Sequence, residues 1–122
     1  ISFDTTSSKS NMDLIRYIEK YLNSYGIKSY LIHDEHEDKA NLHAIIGPQN
    51  IKGIMLSGHT DVVPVKGQNW ATPPFKMSEK GGKLYARGSC DMKGFIACVL
   101  AKVPAFVGNE LKEPIHLAFR HR

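Results

Sequence analysis

The chain has 122 residues, a formal net charge of +4, and 42% apolar and 23% charged residues. This composition is typical of one globular domain with a modest core, and it excludes the fibrous and disordered classes. The longest apolar stretch, around residues 95–107, is interrupted by Lys102 and Pro104, so no membrane segment is predicted. Because the lysines are spread along the chain, we expect a solvated surface and no nucleic-acid partner.

The first predicted element is an amphipathic helix. Ser10 is the predicted N-cap, with Asp13 in place of the usual glutamate of a capping box. Gly26 is well placed to end the helix. The apolar residues at helical spacing are Leu14, Ile15, Ile18, Leu22 and Tyr25. This spacing predicts one helix face in a core.

Three strand-like segments follow, at residues 28–34, 41–46 and 53–57. The third is a short apolar run, which is typical of a buried central strand rather than an edge strand. His59 comes just after it. Residues 64–82 then form a long connection rich in Pro, Gly and Lys, which we expect Trp70 and Phe75 to anchor. A loop of this length in a compact domain is more often functional than idle.

The last third of the chain predicts two strands around a second helix. Residues 83–86 form a short strand, and the helical pattern starts at Met92. The residues predicted to share one helix stripe are Phe95, Ile96, Val99, Leu100 and Val103. Pro104 is expected to kink or end that helix, and residues 114–119 form a buried strand. Cys90 and Cys98 make no disulfide framework, so we expect reduced thiols and a reducing, cytoplasmic compartment; a thiolate metal pair is the weaker alternative.

Strands that alternate with helices predict an α/β fold. The sheet is expected to be mixed with flanking helices, because the early strands are too closely spaced for helical crossovers. Ligands of such sheets gather at the carboxyl ends of central strands, which is where His59 and Asp61 stand. The histidine can bind a metal while the carboxylate two residues later holds its other ring nitrogen. On spacing alone, a solvated loop with a local hydrogen bond is the more common interpretation.

Asp91 stands where a loop enters the second predicted helix. One interpretation is a simple helix N-cap. The other is a carboxylate that bridges two metal ions, which would together activate a water molecule and polarise a carbonyl group. Taken alone, Asp91 favours the N-cap interpretation.

Four motifs taken together resemble a known family. They are Leu-Ser-Gly-His-Thr-Asp-Val-Val-Pro at residues 56–64, Gly-Gln-Asn-Trp at 67–70, Pro-Phe at 74–75 and Gly-Ser-Cys-Asp-Met-Lys-Gly-Phe at 88–95. In order and spacing they are similar to the N-terminal part of the M20 metallopeptidase family, and within it to the acetylornithine deacetylases. The segment 92–95 favours that branch over the succinyl-diaminopimelate desuccinylases. The resemblance covers residues 3–119.

The resemblance implies a partial zinc-peptidase-like catalytic domain over residues 1–122. It implies that His59 ligates one metal ion, that Asp91 bridges two, and that Asp61 is the catalytic residue that orients His59. It also implies a cis peptide bond between Asp91 and Met92. The implied cofactor is zinc, two ions in the complete site, with cobalt as an alternative. The implied substrate is a small N-acyl amino acid, as in the hydrolysis of N-acetylornithine to ornithine and acetate in arginine biosynthesis.

The family pattern is not continued at residues 120–122. The family has Ser-Tyr-Asp-Glu-Glu there, which supplies the general base and a further ligand, whereas this chain has Arg-His-Arg. We therefore expect the dimerisation domain to be absent, metal binding to be weak and the chain alone to be inactive. We also expect self-association through an exposed sheet edge at residues 114–119. The alternatives are a non-catalytic remnant of a decayed gene, or another family member such as a succinyl-diaminopimelate desuccinylase or an aminoacylase.

Overall fold

The structure is a computed structural model that describes all of residues 1–122. In chain order its elements are α1 (Met12–Ser24), β1 (Ser29–His33), β2 (Ala40–Ile46), β3 (Ile54–His59), β4 (Ser78–Lys80), β5 (Lys83–Tyr85), α2 (Lys93–Gly108) and β6 (Ile115–Arg120). Four strands form one sheet in the order β1-β2-β6-β3, antiparallel except for the parallel β6–β3 pair. The remaining two, β4 and β5, form a separate hairpin. The predicted mixed α/β fold is confirmed.

Helix α1 begins with a different cap from the one predicted. Asn11 is the N-cap residue, and its side chain makes no capping bond. The hydroxyl of Ser10, one residue earlier, accepts a hydrogen bond of 3.1 Å from the backbone N–H of Met12. Ser10 therefore satisfies one of the free donors at the helix end, and the amide of Asn11 is available for contacts elsewhere.

The carboxyl end of α1 forms as the sequence predicts. Gly26 has a φ of +73°, which glycine adopts without steric cost. Its N–H bonds the carbonyl of Asn23, and the N–H of Ile27 bonds the carbonyl of Leu22, both at 3.0 Å. These are the two bonds of a Schellman motif. Tyr25, predicted on the buried face, is instead 38% exposed.

Both helices pack against the same face of the sheet. Along β2, Leu42, Ala44 and Ile46 are buried, while His43 and Ile45 between them are half-buried. The helical residues that complete this core are Leu14, Ile15, Ile18 and Leu22 of α1, and Ile96, Val99 and Val103 of α2. The flanking helices predicted from the sequence therefore cover one side of the sheet. Neither helix has the length and apolarity needed to cross a membrane.

Helix α2 continues through Pro104 to Gly108. A proline inside a helix removes the hydrogen bond to the carbonyl four residues earlier, which here belongs to Leu100. The hydroxyl of Tyr21 donates to that carbonyl at 2.8 Å, so helix α1 replaces the missing donor. The prediction that Phe95 lies on the buried stripe is wrong, because Phe95 is 37% exposed.

Two predictions about strand position are wrong. Strand β3 lies at the edge of the sheet rather than in its centre, and Ile54 and Met55 are 62% and 58% exposed. Strand β6 is paired on both sides, by β2 and β3, so residues 114–119 present no free edge. Both errors have the same cause: an apolar run indicates that a strand tends to be buried, but it does not indicate how many strands pair with it.

The long connection after His59 is more ordered than predicted. Its last part contains β4, which sequence patterning missed because the strand has only three residues, two of them charged. Trp70 packs against the guanidinium of Arg87, whose central carbon lies 4.9 Å from the ring centroid. The ring centroid of Phe75 lies 5.7 Å from the Nζ atom of Lys93. Both aromatic residues therefore anchor the connection, as expected from the sequence.

Candidate metal site

The candidate site begins where β3 ends. His59 is the last residue of β3, and the side chains of His59 and Asp61 are only 8% and 10% exposed. Gly58 lets the start of α2 approach the strand closely, since a Cβ there would lie 3.2 Å from both Met92 Cε and Phe95 Cδ1. The strand end and the amino end of α2 therefore meet at the site.

Thr60 fixes the backbone between the two site residues. Its N–H donates to the carbonyl of Arg120 at 2.7 Å, and its hydroxyl donates to the same oxygen at 3.1 Å. Its own carbonyl accepts from the hydroxyl of Thr5 at 2.6 Å, and its hydroxyl accepts from Asn11 at 2.9 Å. Because Thr60 is fully buried, water competes little for these hydrogen bonds. They hold the backbone next to His59 in a single conformation.

Asp91 is brought to the site by a glycine-rich turn. The N–H of Gly94 bonds the carbonyl of Gly88 at 3.1 Å. A Cβ on Gly94 would lie only 2.0 Å from the carbonyl oxygen of Ser89, so the turn admits no side chain there. The N-cap of α2 is Met92 rather than Asp91, and the Asp91 side chain is 78% exposed. The expected cis bond between Asp91 and Met92 is present.

The side chains of His59 and Asp91 converge. The Nε2 atom of His59 lies 2.8 Å from Asp91 Oδ1. On the other side of the ring, Nδ1 lies 2.9 Å from the backbone carbonyl of Asp61 and 3.4 Å from its carboxylate. The carbonyl of Asp61 is thus the closer partner, where the sequence analysis expected the carboxylate. A cavity of about 180 Å³ opens between these three residues.

Hydrogen-bonding roles show what fits between His59 and Asp91. A carbonyl oxygen only accepts, so the partner of Asp61 requires the ring hydrogen on Nδ1 of His59. In the neutral ring, Nε2 is then an acceptor, and it faces a carboxylate oxygen that is also an acceptor. Two acceptors at this distance need a proton or a cation between them. A neutral imidazole and a carboxylate, with the second ring nitrogen held by a carbonyl, are a donor set that suits a divalent metal.

The donor set in these 122 residues is small. No group of three or more His, Cys, Asp or Glu side chains is arranged to hold a metal ion. Instead, Arg122 reaches the same ring: its Nη2 lies 2.7 Å from His59 Nε2, and its backbone N–H donates to Asp61 Oδ1 at 3.2 Å. Cys90 and Cys98 are free, exposed thiols.

Sequence reasoning missed three residues that shape the site: Asn11, Thr60 and Arg122. Asn11 and Thr60 hold the loop through bonds that span 49 residues of sequence, and no local pattern records such a contact. The one available signal was the position of Asn11 directly before a predicted helix, and an ordinary N-cap role explains that position equally well. Arg122 offered no signal, because a terminal arginine is usually solvated.

The fold and the site define a mixed α/β domain in which a histidine at a strand end meets an aspartate at the start of a helix. Residues 55–121 match the model of the peptidase family M20/M25/M40. The match covers more than half of the chain, and the chain belongs to this family.

Curated relatives include two named activities. The chain is 38% identical over 117 residues to acetylornithine deacetylase from Pasteurella multocida (strain Pm70), covering 95% of this chain and 30% of that protein. It is 38% identical over 110 residues to a probable succinyl-diaminopimelate desuccinylase from Staphylococcus aureus (strain Mu50 / ATCC 700699), covering 88% and 27%. The chain therefore spans less than a third of the length of these relatives.

Solved structures support the fold. A metallo-carboxypeptidase of the M20 family from Sulfolobus solfataricus, Sso-CP2, aligns with a TM-score of 0.83 at 22% identity, over 98% of this chain and 28% of the other. Human carnosine dipeptidase 1 aligns with a TM-score of 0.80 at 23% identity, over 98% and 29%. At these identities the likeness describes the arrangement of helices and strands alone.

Proposed function

We propose that this chain contributes His59, Asp61 and Asp91 to the site of a metal-dependent hydrolase of amide bonds. The observation that carries the proposal is the 2.8 Å approach of His59 Nε2 to Asp91 Oδ1 beside a cavity. Zinc, two ions in the complete site, is the proposed metal, with cobalt as a substitute. Such ions lower the pKa of bound water and polarise a carbonyl oxygen.

Each residue has a defined part in the proposal. His59 would hold a metal through Nε2, and the carbonyl of Asp61 fixes the orientation of its ring by accepting from Nδ1. The carboxylate of Asp61 lies 3.4 Å from the same nitrogen. It would stabilise the partial positive charge that metal binding places on the imidazole ring. Asp91 Oδ1 lies against His59, and because the Asp91 side chain is 78% exposed, its carboxylate would be accessible to a second cation. A neutral histidine is required, so acid pH opposes binding.

The proposed substrate is a small N-acyl amino acid. The support is the similarity to acetylornithine deacetylase, which extends over 95% of this chain, and we propose hydrolysis of N-acetylornithine to ornithine and acetate for the whole protein. Desuccinylation of succinyl-diaminopimelate is the second candidate, on equal identity over a slightly shorter alignment. The free thiols support a reducing compartment such as the cytoplasm.

Metal binding by the chain tests the proposal directly. We expect Zn²⁺ to bind weakly in isothermal titration calorimetry and the binding to be lost in His59→Ala and in Asp91→Asn. The matched control is His33→Ala, which removes an exposed histidine of β1. Equal binding by the wild type and both site variants would contradict the proposal and would favour a non-catalytic remnant of the fold.

We further propose that the 122 residues alone release no acetate from N-acetylornithine. A zinc site generally needs at least three protein ligands, whereas His59 and Asp91 are two. Coupled assay of ornithine formation with added Zn²⁺ or Co²⁺ measures this. Metal-dependent turnover that disappears in His59→Ala would overturn it.

Self-association is proposed through β3 rather than β6. One edge of β3 is unpaired, and Ile54 and Met55 are exposed beside it without any charged residue within the strand. Such an edge recruits other chains. We expect Ile54→Lys to reduce the weight-average mass in sedimentation equilibrium, while Val107→Lys, at an exposed site on α2, has little effect. Concentration-independent monomer behaviour of the wild type would refute this proposal.

A further inference from the structure

The nitrogen proposed to ligate a metal already has a cationic partner within the chain. The Nη2 atom of Arg122 lies 2.7 Å from His59 Nε2, with the geometry of a hydrogen bond. A guanidinium only donates, so this contact uses Nε2 as an acceptor. The backbone of Arg122 is fixed as well, since its N–H donates to Asp61 Oδ1 at 3.2 Å. Backbone and side chain of Arg122 therefore both engage the site.

The contacts on Nε2 compete with each other. A ring nitrogen has a single in-plane position, so Nε2 either accepts from Arg122 or donates to Asp91, and cannot do both. The guanidinium makes no ion pair with Asp91 that would relieve the conflict, as the carboxylate of Asp91 is paired with His59 alone. A divalent ion held by both His59 and Asp91 would use the same lone pair on Nε2 as Arg122 does.

We propose that Arg122 is an internal competitor of the metal: its guanidinium occupies the lone pair of His59 Nε2, and a metal ion enters only when that side chain leaves. The inference rests on the proposed metal site. It assigns to Arg122 a role in setting metal affinity rather than in catalysis. Two effects add: the arginine uses the ligand atom, and its positive charge repels a second cation in the same 180 Å³ cavity.

The experiment compares two neighbouring arginines. Arg122→Ala removes both the hydrogen bond and the charge. Arg120→Ala removes the charge of the residue that pairs with His59 in the β3–β6 register, whereas the side-chain hydrogen bond to the His59 ring comes from Arg122. Zn²⁺ affinity of the full chain is measured by isothermal titration calorimetry at pH 7.5 and, in parallel, the imidazole ¹⁵N signals of His59 are followed by NMR. Circular dichroism verifies that each variant is folded.

We expect Arg122→Ala to bind Zn²⁺ about ten- to a hundredfold more tightly than the wild type, the range for loss of one hydrogen bond to a charged group. Arg120→Ala should gain much less, and the Nε2 signal should shift in metal-free Arg122→Ala only. The gain should vanish in the double variant His59→Ala/Arg122→Ala.

Each outcome decides one of the two ideas. Equal affinities of Arg122→Ala and Arg120→Ala, or a gain that persists without His59, would overturn the role of Arg122. The proposed function would fail separately, by Zn²⁺ binding that is the same with and without His59 in the chain that retains Arg122.

Discussion

The amide of Asn11 ties helix α1, strand β2 and the loop of His59 together, and its removal tests how the site is held. Its Nδ2 donates to the carbonyl of Ala40 and to the hydroxyl of Thr60, both at 2.9 Å, and its Oδ1 accepts from the N–H of Ala40 at 2.9 Å. Asn11 is 2% exposed. Asn11→Ala therefore leaves a buried backbone N–H and carbonyl without partners.

The magnitude follows from the three bonds. Each hydrogen bond contributes about 1 kcal/mol net, and a buried group left unpaired costs about 1–3 kcal/mol. We expect Asn11→Ala to lower the free energy of unfolding by about 3–4 kcal/mol. For a domain of this size that loss lowers the Tm by about 10–15 °C.

Thermal and urea unfolding followed by circular dichroism measure the effect. Asn23→Ala is the matched control, because Asn23 lies exposed on the same helix, and a change within about 0.5 kcal/mol is expected there. Asn11→Asp keeps the volume but turns a carboxylate oxygen toward the carbonyl of Ala40, so it should destabilise at least as much at pH 7. A loss below about 1 kcal/mol in Asn11→Ala, or a harmless Asn11→Asp, would refute this reasoning.

Three further changes test the turn, the core and the amino-terminal segment. Gly94→Ala places a Cβ 2.0 Å from a backbone carbonyl, so we expect urea unfolding to show a loss of about 2–4 kcal/mol; Gly108→Ala, with open space around it, should be neutral or stabilising. Phe119→Ala empties a fully buried site and should cost about 3–5 kcal/mol by the same measurement, and a loss under about 1 kcal/mol would contradict the packing. Burial opposes ionisation of Asp4, but hydrogen bonds, chiefly from Lys9, outweigh it and lower its pKa. Because the pKa is lowered in the folded state, ionised Asp4 stabilises the fold at pH values above its ordinary pKa of 3.8. This stabilisation is lost as the pH falls through the lower pKa of the folded state. Asp4→Asn should therefore lower the Tm at pH 7, with a difference from wild type that shrinks below about pH 4; a difference independent of pH would exclude this role.

Much of the fold could be predicted because local chemistry determines it. The periodic apolar face and Gly26 define α1 without reference to the rest of the chain. The apolar run before His59 and the helical pattern after Asp91 placed His59 at a strand end and Asp91 at the start of a helix, and the structure has them there. The cis bond after Asp91 was instead an implication of the family resemblance.

The errors arise where long-range contacts decide the outcome. β3 was expected in the centre of the sheet because its apolar run suggested burial, whereas its position at the edge depends on which strands pair and leaves Ile54 and Met55 exposed. Pro104 was expected to disturb α2, and the hydroxyl of Tyr21, on another helix, satisfies the carbonyl that the proline leaves free. Neither contact has a local signature, because each joins residues far apart in sequence.

The same distinction explains how the site is organised. His59 and Asp91, the proposed metal ligands, were singled out by the family motifs around them, but the geometry of His59 depends on Thr60, whose backbone and hydroxyl are bonded to Thr5, Asn11 and β6. Three segments separated in sequence therefore position the proposed ligand His59, and a side chain held by the fold loses less conformational entropy on binding. The disadvantage is that His59 Nε2 is open to other hydrogen-bond donors when no metal is bound. In this chain Arg122 Nη2 lies 2.7 Å from His59 Nε2, so the same rigid strand end underlies both the proposed ligand and its proposed competition with Arg122.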